Sequence, residues 1–313
     1  MGKASKAKRD GSTRQQKIAA QRAAARRAEI RNRILIASGS VVVVIAVVLA
    51  FVLVKVNSNG PSSPSTSANG PTGTALSAVV KDSTSVPAST LNAVGAGSGV
   101  SQAGLPQKIT GGTSLTSNGK PEMLYMGAEY CPYCAAERWA MVVALSRFGT
   151  FSGLHTTHSG NITGEVFPNT PSLTFYKSTY TSKYLTFTPV EMQTNVPDST
   201  GQSYTNLQTP TAAQQSLLKK YDAPPYVPST SQGAIPFIDF GNKYMLSGAT
   251  YSPQVLQGKT WSQIAAALKN PASPIAKAVD GTANYLTAAI CTMTGNQPAS
   301  ACTPVVKQLE KKL

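Results

Sequence analysis

The sequence predicts an α/β domain preceded by a single membrane-spanning helix. Ile34–Val54 is a run of 21 residues without a charge, and short apolar strand patterns alternate with helical patterns through the middle of the chain. Alternating strands and helices are typical of α/β folds. A chain of 313 residues is long enough for one large domain or two ordinary ones.

The uncharged run Ile34–Val54 has the length of a bilayer core. At 1.5 Å per residue, a helix of this length spans about 31 Å, which matches the hydrocarbon thickness of a membrane. We interpret it as an uncleaved signal anchor. A cleavable signal peptide is the alternative, but the run is longer than a usual signal-peptide core and no clear small-x-small cleavage site follows it.

The positive charge of the chain is concentrated before this run. Residues 1–33 hold eleven Lys/Arg and two acidic residues, so they carry nine of the fifteen net positive charges. The positive-inside rule predicts a single-pass protein of the cell membrane, with a cytoplasmic N-terminus and all residues beyond Lys55 extracytoplasmic. The arm has no aromatic residue to stack on bases, so we expect contact with lipid headgroups and no nucleic-acid partner.

The exported part divides into a tether and one domain. Residues 55–75 are rich in Ser, Pro and Gly and are predicted to be a flexible linker, and residues 76–313 form the extracytoplasmic domain. In the domain, an apolar strand pattern at 122–128 precedes a helical pattern at 135–149. Residues 234–246 predict a second strand, a Gly-Asn turn and a third strand.

Two cysteines, Cys131 and Cys134, lie at the predicted strand-to-helix junction. A thiolate at a helix N-terminus is stabilised by the partial positive charge there, so its pKa falls. Pro132 suits an early helical position, where its missing N–H has no intrahelical partner. The spacing therefore predicts a redox dithiol in which Cys131 attacks and Cys134 resolves the mixed disulfide.

Two other interpretations of this pair stay open. His155 and His158 form an HxxH pattern in a polar segment and could join the thiols in a metal site, although a closed zinc site needs four ligands, usually in two clustered pairs. An exported protein also oxidises its cysteines by default, which leaves an inert disulfide possible. A ring this small contributes little entropic stabilisation. We expect no bound metal or cofactor.

The second cysteine pair, Cys291 and Cys302, encloses a short loop between two predicted helices. A disulfide there contributes about 3 kcal/mol in the chain-entropy model, and we predict a structural bond. The alternative is a second redox pair that relays electrons to or from the first.

The order of strand, CPYC, helix and a later AIPFIDFGNKY segment resembles the thioredoxin superfamily. The inner Pro-Tyr dipeptide, Pro132 and Tyr133, is the one typical of glutaredoxins. The resemblance implies that Cys131 is the nucleophile, that Cys134 is the resolving thiol, and that Pro236, preceded by Ile235, is a cis-proline facing them.

Tyr130 stands where many thioredoxins have tryptophan. Tyr125 stands in place of their buried acid, six residues before the first cysteine. The long separation between Cys134 and Pro236 implies a helical or β insertion. Three segments, GAEYCPYCAAERW, FPNTPSLTFYKSTYTSKYLTF and IPFIDFGNKY, resemble more closely the thioredoxin-like family of unknown function numbered 929, over roughly residues 85–312.

These observations support two main hypotheses and a third. The first is a membrane-anchored thiol–disulfide oxidoreductase of thioredoxin-like fold that acts on cysteines of exported proteins and is reset by an integral-membrane redox partner. The alternative is a thioredoxin-like binding or structural module of the cell envelope with a non-catalytic disulfide. The third is a metal chaperone.

Overall fold

The computed structural model describes residues 70–313, which form a mixed α/β fold. The predicted basic arm (1–33), the predicted membrane helix (34–54) and most of the predicted linker lie outside the described residues. Within 70–313, no helix is long and apolar enough to cross a membrane. The first helix begins at Gly73, so it includes the last residues that we assigned to the linker.

Helices and strands alternate irregularly along this part of the chain. The α-helices are α1 (Gly73–Thr84), α2 (Ala88–Val94), α3 (Pro132–Leu145), α4 (Ala212–Tyr221), α5 (Trp261–Ala267), α6 (Pro274–Met293) and α7 (Pro304–Glu310). The strands are β1 (Gln107–Lys108), β2 (Thr116–Ser117), β3 (Lys120–Gly127), β4 (Gly149–Ser152), β5 (His155–His158), β6 (Pro171–Thr174), β7 (Thr179–Ser182), β8 (Thr186–Glu191), β9 (Gln193–Pro197), β10 (Tyr204–Asn206), β11 (Phe237–Phe240) and β12 (Tyr244–Ser247).

Strand β3 is the centre of a six-stranded sheet. It pairs in parallel with β8 and antiparallel with β11, and β12 and then β1 continue the sheet beyond β11. The short strand β2 pairs antiparallel with the beginning of β3. The register sets Gly127 opposite Glu191 on β8 and Met126 opposite Phe237 on β11. One end of the sheet therefore brings together Gly127, Glu191 and Pro236. There β3 leads into the cysteine turn, which comprises residues 128–131 between β3 and α3.

The side chains of β3 enter two different hydrophobic clusters. Met123 and Tyr125 join the large cluster that includes α3 and α6, whereas Leu124 and Met126 join a smaller cluster on the other face. Successive residues of a strand point to opposite faces, and a strand covered on both faces is apolar throughout. This explains why the run predicted as a buried strand lacks polar alternation.

Helix α3 is buried on nearly all sides. Tyr133 is its one exposed residue, and the helix packs against α6. Trp139 is fully buried and donates its indole N–H to the carbonyl of Pro171 at 2.9 Å. Since the helix has no solvent-facing stripe, its charged residues Glu137 and Arg138 must find partners inside the protein.

The segment between α3 and β11 is largely β. Besides β8 it holds three two-stranded sheets (β4 with β7, β5 with β6, β9 with β10) and helix α4. The prediction that α3 continues to a stop at Gly149 was wrong, because the helix ends at Leu145 and Gly149 opens β4. A Cβ at Gly149 would lie 2.3 Å from the carbonyl oxygen of Thr181, so the glycine permits close strand pairing.

Several carboxyl groups are buried in the domain, and burial brings the pKa values of three of them near neutrality. Burial raises the pKa of Glu137 to about 7, although hydrogen bonds from Thr250 oppose the shift. Burial also raises the pKa of Asp239 to about 7 and that of Asp280 to about 8. The carboxyl oxygens of Asp280 have no hydrogen-bond partner among the described residues.

We expect these carboxyls to make the domain less stable in alkaline solution. Each pKa is higher in the folded than in the unfolded chain, so the folded state holds protons that the unfolded state releases, and stability falls as pH rises from about 4 to about 8. The expected loss is on the order of 3–5 kcal/mol per group, at about 1.4 kcal/mol for each unit by which the pKa is raised. Urea unfolding at a series of pH values measures it.

The matched variants are Asp280→Asn and, as a control, Asp198→Asn, which alters a partly exposed carboxylate outside the core. Asp280→Asn should flatten the slope between about pH 5 and pH 8, and Asp198→Asn should leave it unchanged in that window. Equal slopes for wild type and Asp280→Asn would contradict this assignment.

Candidate active site

The cysteine turn joins the buried end of β3 to the first turn of α3. Cys131 is the N-cap of the helix, and its sulfur accepts a hydrogen bond from the backbone N–H of Cys134 at 3.2 Å. Pro132 occupies the first helical turn, as expected, and Ala135 N–H donates to the carbonyl of Cys131 at 2.9 Å. The thiols of Cys131 and Cys134 are not bonded to each other, so the structure describes the dithiol.

Ile235 and Pro236 lie beside this turn. Their peptide bond is cis, and the pairing of Phe237 with Met126 brings it next to the end of β3. The sulfur of Cys131 lies 3.7 Å from the carbonyl oxygen of Ile235. Tertiary structure therefore brings together the two segments that the sequence predicted to face each other.

The two thiols have little access to solvent. Cys131 is 5% exposed and Cys134 is fully buried, in a small apolar cluster with Ala128 that Tyr130 and Ile235 cover. Of the two sulfurs, that of Cys131 is the one that a molecule in solution could reach. This difference in access agrees with an attacking role for Cys131 and a resolving role for Cys134.

Tyrosines flank the turn on the side of the segment between α3 and β11. The ring of Tyr130 stacks on that of Tyr204 with centroids 4.6 Å apart, and its backbone carbonyl accepts the N–H of Gly160 at 2.7 Å. Tyr133 is 41% exposed and meets the ring of Phe167 edge to face. Tyr130 and Tyr133, two of the supporting residues predicted from sequence, therefore hold the segment between α3 and β11 against the turn. Tyr133 also presents an aromatic surface to solvent.

The environment separates the acidities of the two thiols. Burial alone would raise the pKa of Cys131, but hydrogen bonds from the thiol and N–H of Cys134, together with the charge of Arg138, lower it below the usual value. Burial and the neighbouring sulfur of Cys131 raise the pKa of Cys134 well above its usual value. A low-pKa thiol next to a protonated one is the arrangement that nucleophilic exchange requires.

A buried ion pair that was not predicted from the sequence supports the turn. Arg138 and Glu191 are both fully buried, with the guanidinium Nε 3.2 Å from the carboxylate. Arg138 Nη2 also donates to the carbonyl of Ala128 at 2.9 Å, and the N–H of Cys131 donates to that same carbonyl at 3.3 Å. Burial alone would lower the pKa of Arg138, because it favours the neutral guanidine. The negative charge of Glu191 opposes this effect, and the pKa of Arg138 is raised on balance.

A signal for this pair was present in the sequence. Glu137 and Arg138 interrupt a helix pattern that is otherwise apolar on every side, which is unusual unless the charges are paired. The partner could not be found locally, because Glu191 lies on a strand 53 residues further along the chain.

Tyr125 occupies the interior below the turn. It is fully buried, and the aromatic edge of its ring meets Phe175 with centroids 5.4 Å apart. A Cβ at Gly127 would lie 2.1 Å from its hydroxyl oxygen, so the glycine leaves room for the tyrosine. Burial raises the pKa of Tyr125 well above its usual value, so the side chain is neutral at physiological pH.

Cys291 and Cys302 form a disulfide bond, with Cα atoms 5.8 Å apart. They belong to the large core cluster, whereas Cys131 and Cys134 belong to a separate one. This separation favours the structural role over an electron relay.

The histidines do not converge on the thiols to form a metal site. They are the two end residues of β5, where residues three apart point to opposite faces, so the expectation of a polar loop there was wrong. No cluster of three or more His, Cys, Asp or Glu side chains suited to a metal ion is found in residues 70–313.

Comparison with protein families gives one match. The model of a domain of unknown function, DUF929, matches residues 108–292, more than half of the chain. The chain belongs to this family. The DUF929 match includes β3, the cysteine turn and the Ile235–Pro236 segment, and it ends one residue after Cys291. No curated protein and no solved structure matches the chain.

Proposed function

We propose that this DUF929 protein is a thiol–disulfide oxidoreductase in which Cys131 is the nucleophile and Cys134 the resolving thiol. The observation that carries the proposal is the position of Cys131, an N-cap thiol with lowered pKa that accepts the N–H of Cys134. A thiolate there attacks a disulfide sulfur, and the neighbouring thiol releases the product.

We further propose that the domain is a thioredoxin-like fold. The strand order supports this: β3 precedes the cysteine turn and has the parallel β8 on one side and the antiparallel pair β11 and β12 on the other. The position of Ile235–Pro236 next to the turn also supports it, as does the long helix α6 packed on α3. Pro236 would shape the surface that receives the client.

We propose that the domain is held outside the membrane by the helix at Ile34–Val54, with the linker between them. This part of the proposal is supported by sequence alone, through the uncharged run and the basic arm that precedes it. The clients would then be exported proteins with cysteines, and an integral-membrane redox partner would restore the starting state. The chemistry requires only the two thiols, so no cofactor is invoked.

The test is a redox titration of the full chain in glutathione buffers of stepwise composition. Thiols are alkylated at each step and peptides containing Cys131 and Cys134 are weighed by mass spectrometry. We expect a reversible transition between dithiol and disulfide at this pair. A pair that stays in one state across all buffers would exclude the oxidoreductase and favour the binding module.

A further inference from the structure

A single buried cation acts on both thiols of the site. Arg138 lies one helical turn after Cys134 on α3, and residues four apart share a helix face. It is bonded to the Ala128 carbonyl that also receives the N–H of Cys131. Its remaining nitrogen, Nη1, is fully buried and has no hydrogen-bond partner among the described residues.

Besides Arg138, the titratable groups around the turn include two neutral phenols and two carboxylates that act on Arg138. Tyr125 on β3 and Tyr130 in the turn are neutral, because burial raises the pKa of both, to about 12 for Tyr130. Glu191 on β8 is engaged with Arg138 Nε, and Glu129 in the turn also acts on the arginine. The position where thioredoxins carry a buried acid therefore holds a neutral phenol, and a guanidinium is the charge next to the thiols.

We propose that the site is a disulfide donor, which oxidises dithiols of client proteins, because Arg138 stabilises the thiolate of its reduced form. This inference rests on the proposed function. Interactions between charges are stronger in a buried site than in water. A stabilised reduced form makes the disulfide form a stronger oxidant. Arg138 is a positioning residue here, since it acts through the thiols and touches no client.

The proposed reaction balances as follows. A client thiolate attacks the sulfur of Cys131, the Cys131–Cys134 bond breaks, and Cys134 leaves and takes up a proton. The second client thiolate then attacks the client sulfur of the mixed disulfide and expels Cys131 as a thiolate. Two electrons pass from the client, which gains a disulfide, to the site, which becomes a dithiol. A new cycle requires an oxidising disulfide, and oxidised glutathione supplies it in the test.

The experiment measures the equilibrium constant between the site and glutathione for the full chain and its variants. Arg138→Met removes the charge and keeps the length of the side chain, and we expect it to shift the equilibrium toward the site disulfide by about tenfold, the effect of one pKa unit. Arg138→Lys should restore most of the shift. Thiolate absorbance against pH should show a parallel rise in the pKa of Cys131.

The matched control is Arg147→Met. Arg147 lies just beyond α3, is partly buried and bonds Asn284, Thr287 and Ala301, away from the thiols. Its loss also removes an arginine that is hydrogen-bonded inside the domain, but it should leave the equilibrium constant unchanged. Circular dichroism identifies the variants that fold. If Arg138→Met does not, Glu191→Gln gives a second test with the opposite sign, because loss of the carboxylate charge should favour the dithiol.

The outcomes separate this inference from the proposed function. Equal constants for Arg138→Met, Arg147→Met and wild type would overturn it, as would a wild-type disulfide that is reduced only in a large excess of reduced glutathione. Either result leaves a reversible redox pair and the proposed function intact. A pair that never exchanges with glutathione overturns both.

Discussion

Cys131→Ser should abolish disulfide exchange by this protein, and Cys134→Ser should trap it in a mixed disulfide. Cys131 is the more exposed and the more acidic thiol, so its loss removes the nucleophile. Without Cys134, Cys131 can still attack the disulfide of an oxidised peptide, but no neighbouring thiol is available to release that peptide. We expect exchange with a two-cysteine peptide to fall by at least about 100-fold for Cys131→Ser, since a hydroxyl cannot form a disulfide.

Two quantities are measured: the rate at which the oxidised protein oxidises a reduced two-cysteine peptide, and the adduct that Cys134→Ser forms with the disulfide form of that peptide, detected by mass spectrometry of the non-reduced protein. The control is the double variant Cys291→Ser/Cys302→Ser, which removes the other cysteine pair. It should lose stability but retain exchange at Cys131 if that pair is structural. Adducts that form on Cys134 and not on Cys131 would contradict the assignment of roles, and loss of exchange in the double variant would favour the relay.

Glu191→Leu should be among the most destabilising substitutions in the domain, with a cost of about 3–5 kcal/mol. It leaves the buried guanidinium of Arg138 without its partner, and arginine cannot release its proton to become neutral. Arg138→Met should cost less, because burial already raises the pKa of Glu191 and the carboxyl can take up a proton. The order of the two free energies of unfolding therefore tests which unpaired charge costs more inside the protein.

Urea unfolding at neutral pH measures both free energies of unfolding, and Arg138→Met/Glu191→Leu completes the double-mutant cycle. Removing both charges should cost less than the sum of the single variants, since no unpaired charge remains inside. A Glu191→Leu variant that is as stable as Arg138→Met would contradict this ranking, and two variants as stable as the wild type would show that the ion pair is not a structural requirement.

The buried strand, the cysteine turn and the helix after it were predictable because the signals for them are local. The apolar run of β3, the N-cap position of Cys131 and the first-turn proline are properties of about a dozen consecutive residues. The Gly-Asn turn between β11 and β12 is equally local, and it falls where the pattern indicated. Such signals depend on backbone preferences that the rest of the chain does not alter.

The segment between α3 and β11 was harder to predict because its strands pair with partners that lie further along the chain. His155–His158 is polar and reads as a loop, but it becomes β5 by pairing with β6, after an intervening loop that includes Phe167. Likewise, Gly149 looks like a helix stop, but it allows β4 to approach β7 closely. Strand formation in these places depends on partners that a local pattern does not contain.

The sequence by itself determined where the thiols lie along the chain and which of them caps the helix, because a helix start and a CxxC spacing are encoded within a few residues. Only the tertiary structure decided the electrostatics around them. Arg138, Glu191 and Tyr125 come from a helix and two strands, and their effects depend on burial and on distances across the sheet. Charge interactions are governed by proximity and low dielectric, which exist only once the chain has folded.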